Sequence, residues 1–284
     1  MDRVLVSREG VGAAAAIVQH GEVILTRVVV DQPTLIVVGR GEKSLRRAGT
    51  EYVLQSGQAV AVAAGQDFDV INRPDEQGVY EAAWLVFDPR VVLALSDAQS
   101  AEIRDVLPIP SLEEEFLTSY GRAMDAIHDS DNVPHAIAVQ RVRECLVWID
   151  IHGGRFVGTL YSSVSARVRS LLVSAAGKPW GASDVARRLA MSEATLRRRL
   201  ASEGRSFSEI LRDVRLSQAL TLLQATDRSI EEIAQAVGYE SASRFAVRFR
   251  QRFGQSPGAL RTAPRSRDRF GTKIDQHGAY RVLR

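Results

Sequence analysis

The chain has 284 residues, 45% of them hydrophobic and 25% charged, with a formal net charge of +3. That length suits two domains, each able to bury a core, and no run approaches the roughly 20 apolar residues that a membrane span needs. A lone cysteine, Cys145, excludes an intramolecular disulfide and any multi-cysteine zinc site.

The small net charge conceals two unlike halves. From residue 155 onward there are 24 Lys or Arg against 11 Asp or Glu, whereas residues 1–154 hold 13 against 23. Neutralising phosphates releases condensed counterions, so the basic half suits a polyanion that the acidic half would repel. Only the C-terminal half is expected to touch nucleic acid. The N-terminus, MDRVLVSREGVGAAAAIVQH, lacks a basic start followed by an unbroken apolar stretch, so a secretory signal is not expected and the protein is placed in the cytoplasm.

Residues 22–88 read as short apolar or alternating runs broken by turn residues: EVILTRVVV, TLIVVGRG, YVLQSG, QAVAVAAG, FDVINRPDEQG and VYEAAWLVFD. About six strands with Gly at 39, 41, 57, 65 and 78 predict a small antiparallel barrel or sandwich. After Pro89 the period changes. SLEEEFLTSYGRAMDAIHDS and PHAIAVQRVRECLVWIDIHG carry apolar residues at three and four residue spacing, which predicts two amphipathic helices. Cys145, in the apolar run CLVWI, reads as a buried helix position. A linker is expected over 155–163, where glycines and small polar residues meet the reversal of charge.

Beyond the linker every long segment is helical in period. A helix over about 164–176 stops at Gly177, Lys178 and Pro179. In WGASDVARRLAMSEATLRRRLASEG a short helix spans 182–189, Ala190 and Met191 turn, and Ser192 caps a second helix. SFSEILRDVRLSQALTLLQATD predicts one helix of about 19 residues, roughly 28 Å at 1.5 Å per residue. The pattern then repeats: Ser229 caps IEEIAQAVG, Gly238 permits a sharp turn, and SASRFAVRFRQRFG forms a second reading helix opened by Ser241. Two helix-turn-helix units on one connector suit successive major-groove segments, which lie about 34 Å apart along a duplex. Phe245, Phe249 and Phe253 recur every four residues and are assigned to the core. The segment 264–284 is polar and Arg-rich without period, and is expected to be a disordered tail.

The stretch ALTLLQATDRSIEEIAQAVGYESASRFAVRFRQRFGQSPGALR contains I-A-x-x-x-G-Y, S-x-x-x-F, F-x-x-x-F-G and S-P-x-x-x-R in order. Over residues 164–262 the chain resembles the AraC/XylS family of bacterial transcription regulators. MSEATLRRRLASEGRSFSEILRDVR is similar to the branch that includes virulence and acid-resistance activators. The resemblance implies that Glu193, Ala194, Arg197 and Arg198 face bases from the first reading helix, and Ala242, Ser243, Ala246 and Val247 from the second. Arg244, Arg248 and Arg252 are then expected to grip phosphate. With Ser192, Thr195 and Ser241 these residues, apart from Ala246 and Arg252, make up the candidate DNA-binding set. Small side chains in the second helix can meet thymine methyls but offer few hydrogen bonds, so the first helix is expected to carry more direct readout.

The resemblance also implies an α+β chain. A cupin-like antiparallel barrel over about 1–90 with helices over about 98–152 would form a sensor and dimerisation domain (1–154). An all-α double helix-turn-helix domain would follow over 164–263. It implies promoter DNA and RNA polymerase as partners, a homodimer, and activation of transcription. No cofactor or metal is expected, because His20 is the barrel region's single histidine and cannot alone make a first shell. In some members of the related branch a basic residue facing the barrel interior meets a fatty acid carboxylate. Here His20, Arg40, Lys43, Arg46 and Arg47 are the candidates for such an effector. Two other classes fit the residues less well. A cupin enzyme fused to a DNA-targeting module would need a reactive cysteine or a zinc cluster, and a sequence-indifferent architectural protein would not need two separately capped reading helices with different outer faces.

Overall fold

The strands between Val4 and Phe87 lie in two antiparallel sheets, not in the closed barrel that the strand spacing allowed. The computed structural model describes residues 4–93, 100–157, 163–173 and 175–260. Its first unit, residues 4–157, contains β1 (Val4–Arg8), β2 (Gly12–His20), β3 (Val23–Val30), β4 (Thr34–Arg40), β5 (Glu42–Arg47), β6 (Thr50–Gln55), β7 (Ala59–Val62), β8 (Gln66–Arg73) and β9 (Val79–Phe87). After these come α1 (Pro89–Leu93), β10 (Ala101–Glu102), β11 (Val106–Ile109), α2 (Glu114–His128), α3 (His135–Ile151) and β12 (Gly154–Arg155).

One sheet has the order β1-β2-β9-β4-β7-β11 and the other β3-β8-β5-β6, with a short parallel pair β10-β12 apart. Among the described residues no strand pairing joins the two larger sheets, so each keeps two edges. Alternating apolar strands arise in barrels and sandwiches alike, which is why sequence could not separate them. The strands also begin earlier than the runs from residue 22 predict. GAAAAIVQH forms β2, between β1 and β9, although alanine has low strand propensity. Ala14, Ala15 and Ala16 are all buried there, so both faces of the strand favour small side chains.

Helices α1–α3 cover one face of the six-stranded sheet. Leu35, Val37, Ala59, Ala61, Leu85 and Phe87 share a core with Phe116, Met124, Ile127, Val142, Cys145 and Ile149. Arg8 ties the edge strand to this layer, donating to the carbonyls of Ala126 at 2.7 Å and Val133 at 2.6 Å.

The second unit, described over 163–173, 175–223 and 227–260, is helical. It contains α4 (Val164–Val173), α5 (Ala182–Arg188), α6 (Glu193–Ser202), α7 (Phe207–Ala225), α8 (Ile230–Ala236) and α9 (Ala242–Phe253). The connector α7 has the 19 residues expected, whereas α4 ends at Val173 and Ala175–Gly177 turn. Val168, Leu172, Val185, Ala186, Leu196, Leu200, Ile210 and Val214 form the core of the first motif. Most of the expected linker and all of the expected tail lie outside the described residues.

Candidate nucleic-acid interface

Each reading helix begins at a serine that satisfies a backbone donor the helix cannot pair internally. The Thr195 N–H donates to Ser192 Oγ at 3.1 Å, and the Arg244 N–H to Ser241 Oγ at 3.4 Å. The supporting helix of the second motif carries a reciprocal capping box: the Glu232 N–H donates to Ser229 Oγ at 3.1 Å, and the Ser229 N–H to the Glu232 carboxylate at 2.6 Å. The turns are built alike. Ala190 in the first and Gly238 in the second, each directly after the C-cap residue, adopt left-handed φ of 55° and 82°. The second turn is one residue longer before its serine.

With the caps fixed, helical period decides which side chains face out. On α6, Leu196 and Leu200 are buried, and Ala194, Arg197, Arg198 and Arg199 are exposed. Glu193 sits one turn before Arg197 and pairs with it at 2.5 Å, while Thr195 is half-buried with its hydroxyl 2.9 Å from that of Ser192. On α9, Phe245, Phe249 and Phe253 are buried and pack in succession as tilted rings, with centroids 5.5 and 4.7 Å apart. Its outward residues are Ser243, Arg244, Val247 and Arg248, with Ala242 and Ala246 half-buried at the margin. Val247 is 57% exposed, an apolar residue left in solvent in the middle of that face. Arg252 departs from the expected phosphate role. Its guanidinium turns inward, 3.3 Å from the Asp213 carboxylate of α7, with the side chain 13% exposed. Trp180 also packs, donating its indole N–H to the Ala175 carbonyl at 2.8 Å beneath the Arg188 guanidinium.

The five basic candidates of the first unit occupy unlike environments. His20 ends β2, opposite Val79. Arg40 is bound to Asp75 at 2.7 Å and to Gln77 at 2.7 Å, near Glu81 at 3.8 Å. Arg46 pairs with Glu51 at 2.9 Å, and Arg47 with Asp105 at 2.6 Å. Lys43 differs from all of these. It is 3% exposed, and its ammonium donates to the Asn72 side-chain carbonyl at 2.7 Å rather than to a carboxylate. It also lies 5.6 Å from the centre of the Tyr80 ring. Burial pulls the Lys43 pKa down to about 7.

Around it, Asn72 bridges to the other sheet, donating to Gln19 at 2.9 Å, and Gln19 is the cross-strand neighbour of Tyr80. Sequence reading missed Gln19, Asn72 and Tyr80, because nothing in the local pattern shows that β2, β8 and β9 bring them to Lys43. Among the described residues no cluster of His, Cys, Asp or Glu could hold a metal ion, and no helix is long and apolar enough to cross a membrane. Cys145 is fully buried in α3, and burial pushes its thiol pKa up, away from the thiolate that nucleophilic chemistry requires.

Two serine-capped helices, each set behind a tight turn on a shorter helix and joined by one long helix, define a double helix-turn-helix DNA-binding domain. A family model described as a helix-turn-helix domain matches residues 185–263. The transcriptional regulator YdeO of Escherichia coli strain K12 is 38% identical over 95 residues, 34% of this chain and 37% of that protein. The transcriptional activator FapR of Escherichia coli is 37% identical over 106 residues, 36% of this chain and 41% of that protein. SirC of Salmonella typhimurium, a transcriptional regulator, is 35% identical over 91 residues, 32% of this chain and 31% of that protein. Each match spans less than half of the relative's length. Residues 185–263 thus form a helix-turn-helix domain, and the C-terminal unit is similar in sequence to parts of these transcription regulators. The fold likeness is broader than the sequence match. Vibrio cholerae ToxT, solved with an unsaturated fatty acid bound, superposes with a TM-score of 0.61 at 14% identity, covering 89% of this chain and 95% of that one.

Proposed function

We propose that the chain is a sequence-specific DNA-binding transcription regulator of the AraC/XylS type whose N-terminal unit receives a small-molecule signal. The observation that carries this reading is the pair of capped helices α6 and α9, each with arginines and small residues on its outer face. Arg197 and Arg198 present planar donor forks suited to guanine O6 and N7, and Glu193 is placed to accept from a cytosine amine or to hold Arg197. Ala194, Ala242, Ser243 and Val247 offer apolar or short polar contact, with Val247 suited to a thymine methyl. Ser192, Thr195, Ser241, Arg244 and Arg248 lie where phosphates flank a seated helix, and such contacts set register without specifying bases. One subunit would then read about two turns of promoter duplex.

The reading extends to a cytoplasmic homodimer that activates transcription through contact with RNA polymerase. Dimerisation is placed on α3, whose Ile137, Val147 and Ile151 are exposed at 47, 46 and 65% on one side of the helix. Selection of bound sequences from a random duplex pool tests the DNA reading. A motif about two helical turns long is expected, and recovery of no motif at all would overturn it.

Lys43 is the proposed receiver of an anionic effector, carried by its burial and its bond to Asn72, which is itself bound to Gln19, with no carboxylate partner among the described residues. The fatty acid held by ToxT makes a long-chain carboxylate the first ligand to try. Melting of the full chain with saturated and unsaturated fatty acids should show a shift that Lys43→Met abolishes. No shift at any chain length would sink this part of the reading.

A further inference from the structure

The apolar cores of the two helix-turn-helix motifs explain why each holds together, but not what sets the angle of one against the other. Hydrophobic burial is non-directional, whereas charge-assisted hydrogen bonds fix geometry. Charged contacts converge on Asp213 in α7. Asp213 accepts a hydrogen bond from Arg205, in the segment just after α6, at 2.7 Å, and is ion-paired with Arg252, in the last turn of α9, at 3.3 Å. One carboxylate therefore holds the trailing ends of both reading helices.

Two residues on, and on the other side of α7, Arg215 donates to the carbonyls of Ala176 at 3.1 Å and Lys178 at 3.0 Å, in the lead-in to the first motif. Its guanidinium crosses the turn of the second motif, where a Cβ on Gly238 would lie 2.6 Å from it. The backbones themselves meet nearby: a Cβ on Gly177 would fall 2.2 Å from the Ala236 carbonyl oxygen at the end of α8. Asp213 and Arg215 thus clamp the two motifs to each other from opposite faces of the same helix.

We infer that Asp213 is a positioning residue that fixes the phase between α6 and α9, so that the protein accepts one spacing between its two half-sites. This rests on the double-reading function proposed above. One base pair more or less between half-sites moves the second by about 3.4 Å and turns it by about 35° about the duplex axis. A rigid head cannot follow that displacement. A head released at Asp213 can turn on its remaining apolar contacts.

The test uses the full chain and the site selected for it, rebuilt with the half-sites one and two base pairs closer together or farther apart. The wild type should prefer one spacing and lose at least about tenfold in affinity on a one-base-pair change, the scale of a lost base contact. Asp213→Asn should bind the best spacing more weakly but vary by less than about threefold across the series. Arg252→Gln, which removes the same ion pair from its other end, should flatten the profile likewise. Circular dichroism identifies any variant that fails to fold, and the remaining one then decides the matter. If the wild type selects no two-part site, the double-reading function falls and this inference with it. If it selects one, and the folded variants keep the wild-type spacing profile, the assignment to Asp213 alone is overturned.

Discussion

The carboxylate of Glu203, at the C-terminal cap of the first reading helix, accepts the backbone N–H of Val164, the first residue of α4, at 2.8 Å. It also accepts the Ser165 N–H at 2.8 Å and the Ser165 hydroxyl. Residues 39 apart thus share a helix cap, and the start of α4 is held by the end of α6.

Glu203→Gln should therefore loosen the start of α4, at a cost of about 0.5–1 kcal/mol, the lower range of a side-chain cap at an exposed site. Burial alone would raise the Glu203 pKa, but the bonds from Ser165 and Val164 outweigh it and hold the carboxyl below its ordinary value of 4.5. A depressed carboxyl binds fewer protons folded than unfolded. Its contribution is complete above pH 4.5 and fades as pH falls through the folded value. Thermal melts of the two proteins should converge in acid and separate near neutrality.

Arg197→Ala and Arg198→Ala are each expected to cost about 1–3 kcal/mol of specific DNA affinity and to relax base preference at one position. Arg248→Ala should instead weaken binding to all sequences alike and lower the slope of log affinity against log salt by about one. Titrations at several salt concentrations separate the two effects.

Ala190 holds a left-handed conformation that its counterpart in the second motif assigns to Gly238. Ala190→Gly should stabilise the domain by about 0.5–1 kcal/mol, the left-handed penalty less the added chain entropy of glycine. Gly238→Ala should destabilise it, because Arg215 would also have to move. Melting temperatures with unchanged DNA preference for Ala190→Gly would bear this out.

Lys43 gives the first unit a pH dependence of the same sign in a more alkaline window. Its pKa falls from 10.5 to about 7 on burial, so between those values the unfolded chain binds more protons than the folded one. Stability should rise with pH across that window, by up to about 1.4 kcal/mol per unit. Below pH 7 the penalty is complete and constant. Lys43→Met should abolish the slope, which denaturant titrations from pH 6 to 10 would reveal.

What the sequence determined by itself was everything whose cause lies within a few residues. The serine caps at 192, 229 and 241, the 19-residue connector, the phenylalanine stripe of α9 and the outward arginines of α6 follow from helical period and capping chemistry, which a linear reading contains. Tertiary structure decided the rest. Whether the N-terminal strands close on themselves depends on pairings between distant segments, and β2 became a central strand because its alanines fit a site buried on both faces. Among five basic candidates only strand register buried Lys43 and gave it an amide partner. Arg244, Arg248 and Arg252 follow one another at helical spacing and look alike in sequence. Arg252 was turned from phosphate to Asp213 because α7, 39 residues earlier in the chain, brings a carboxylate to that side of α9.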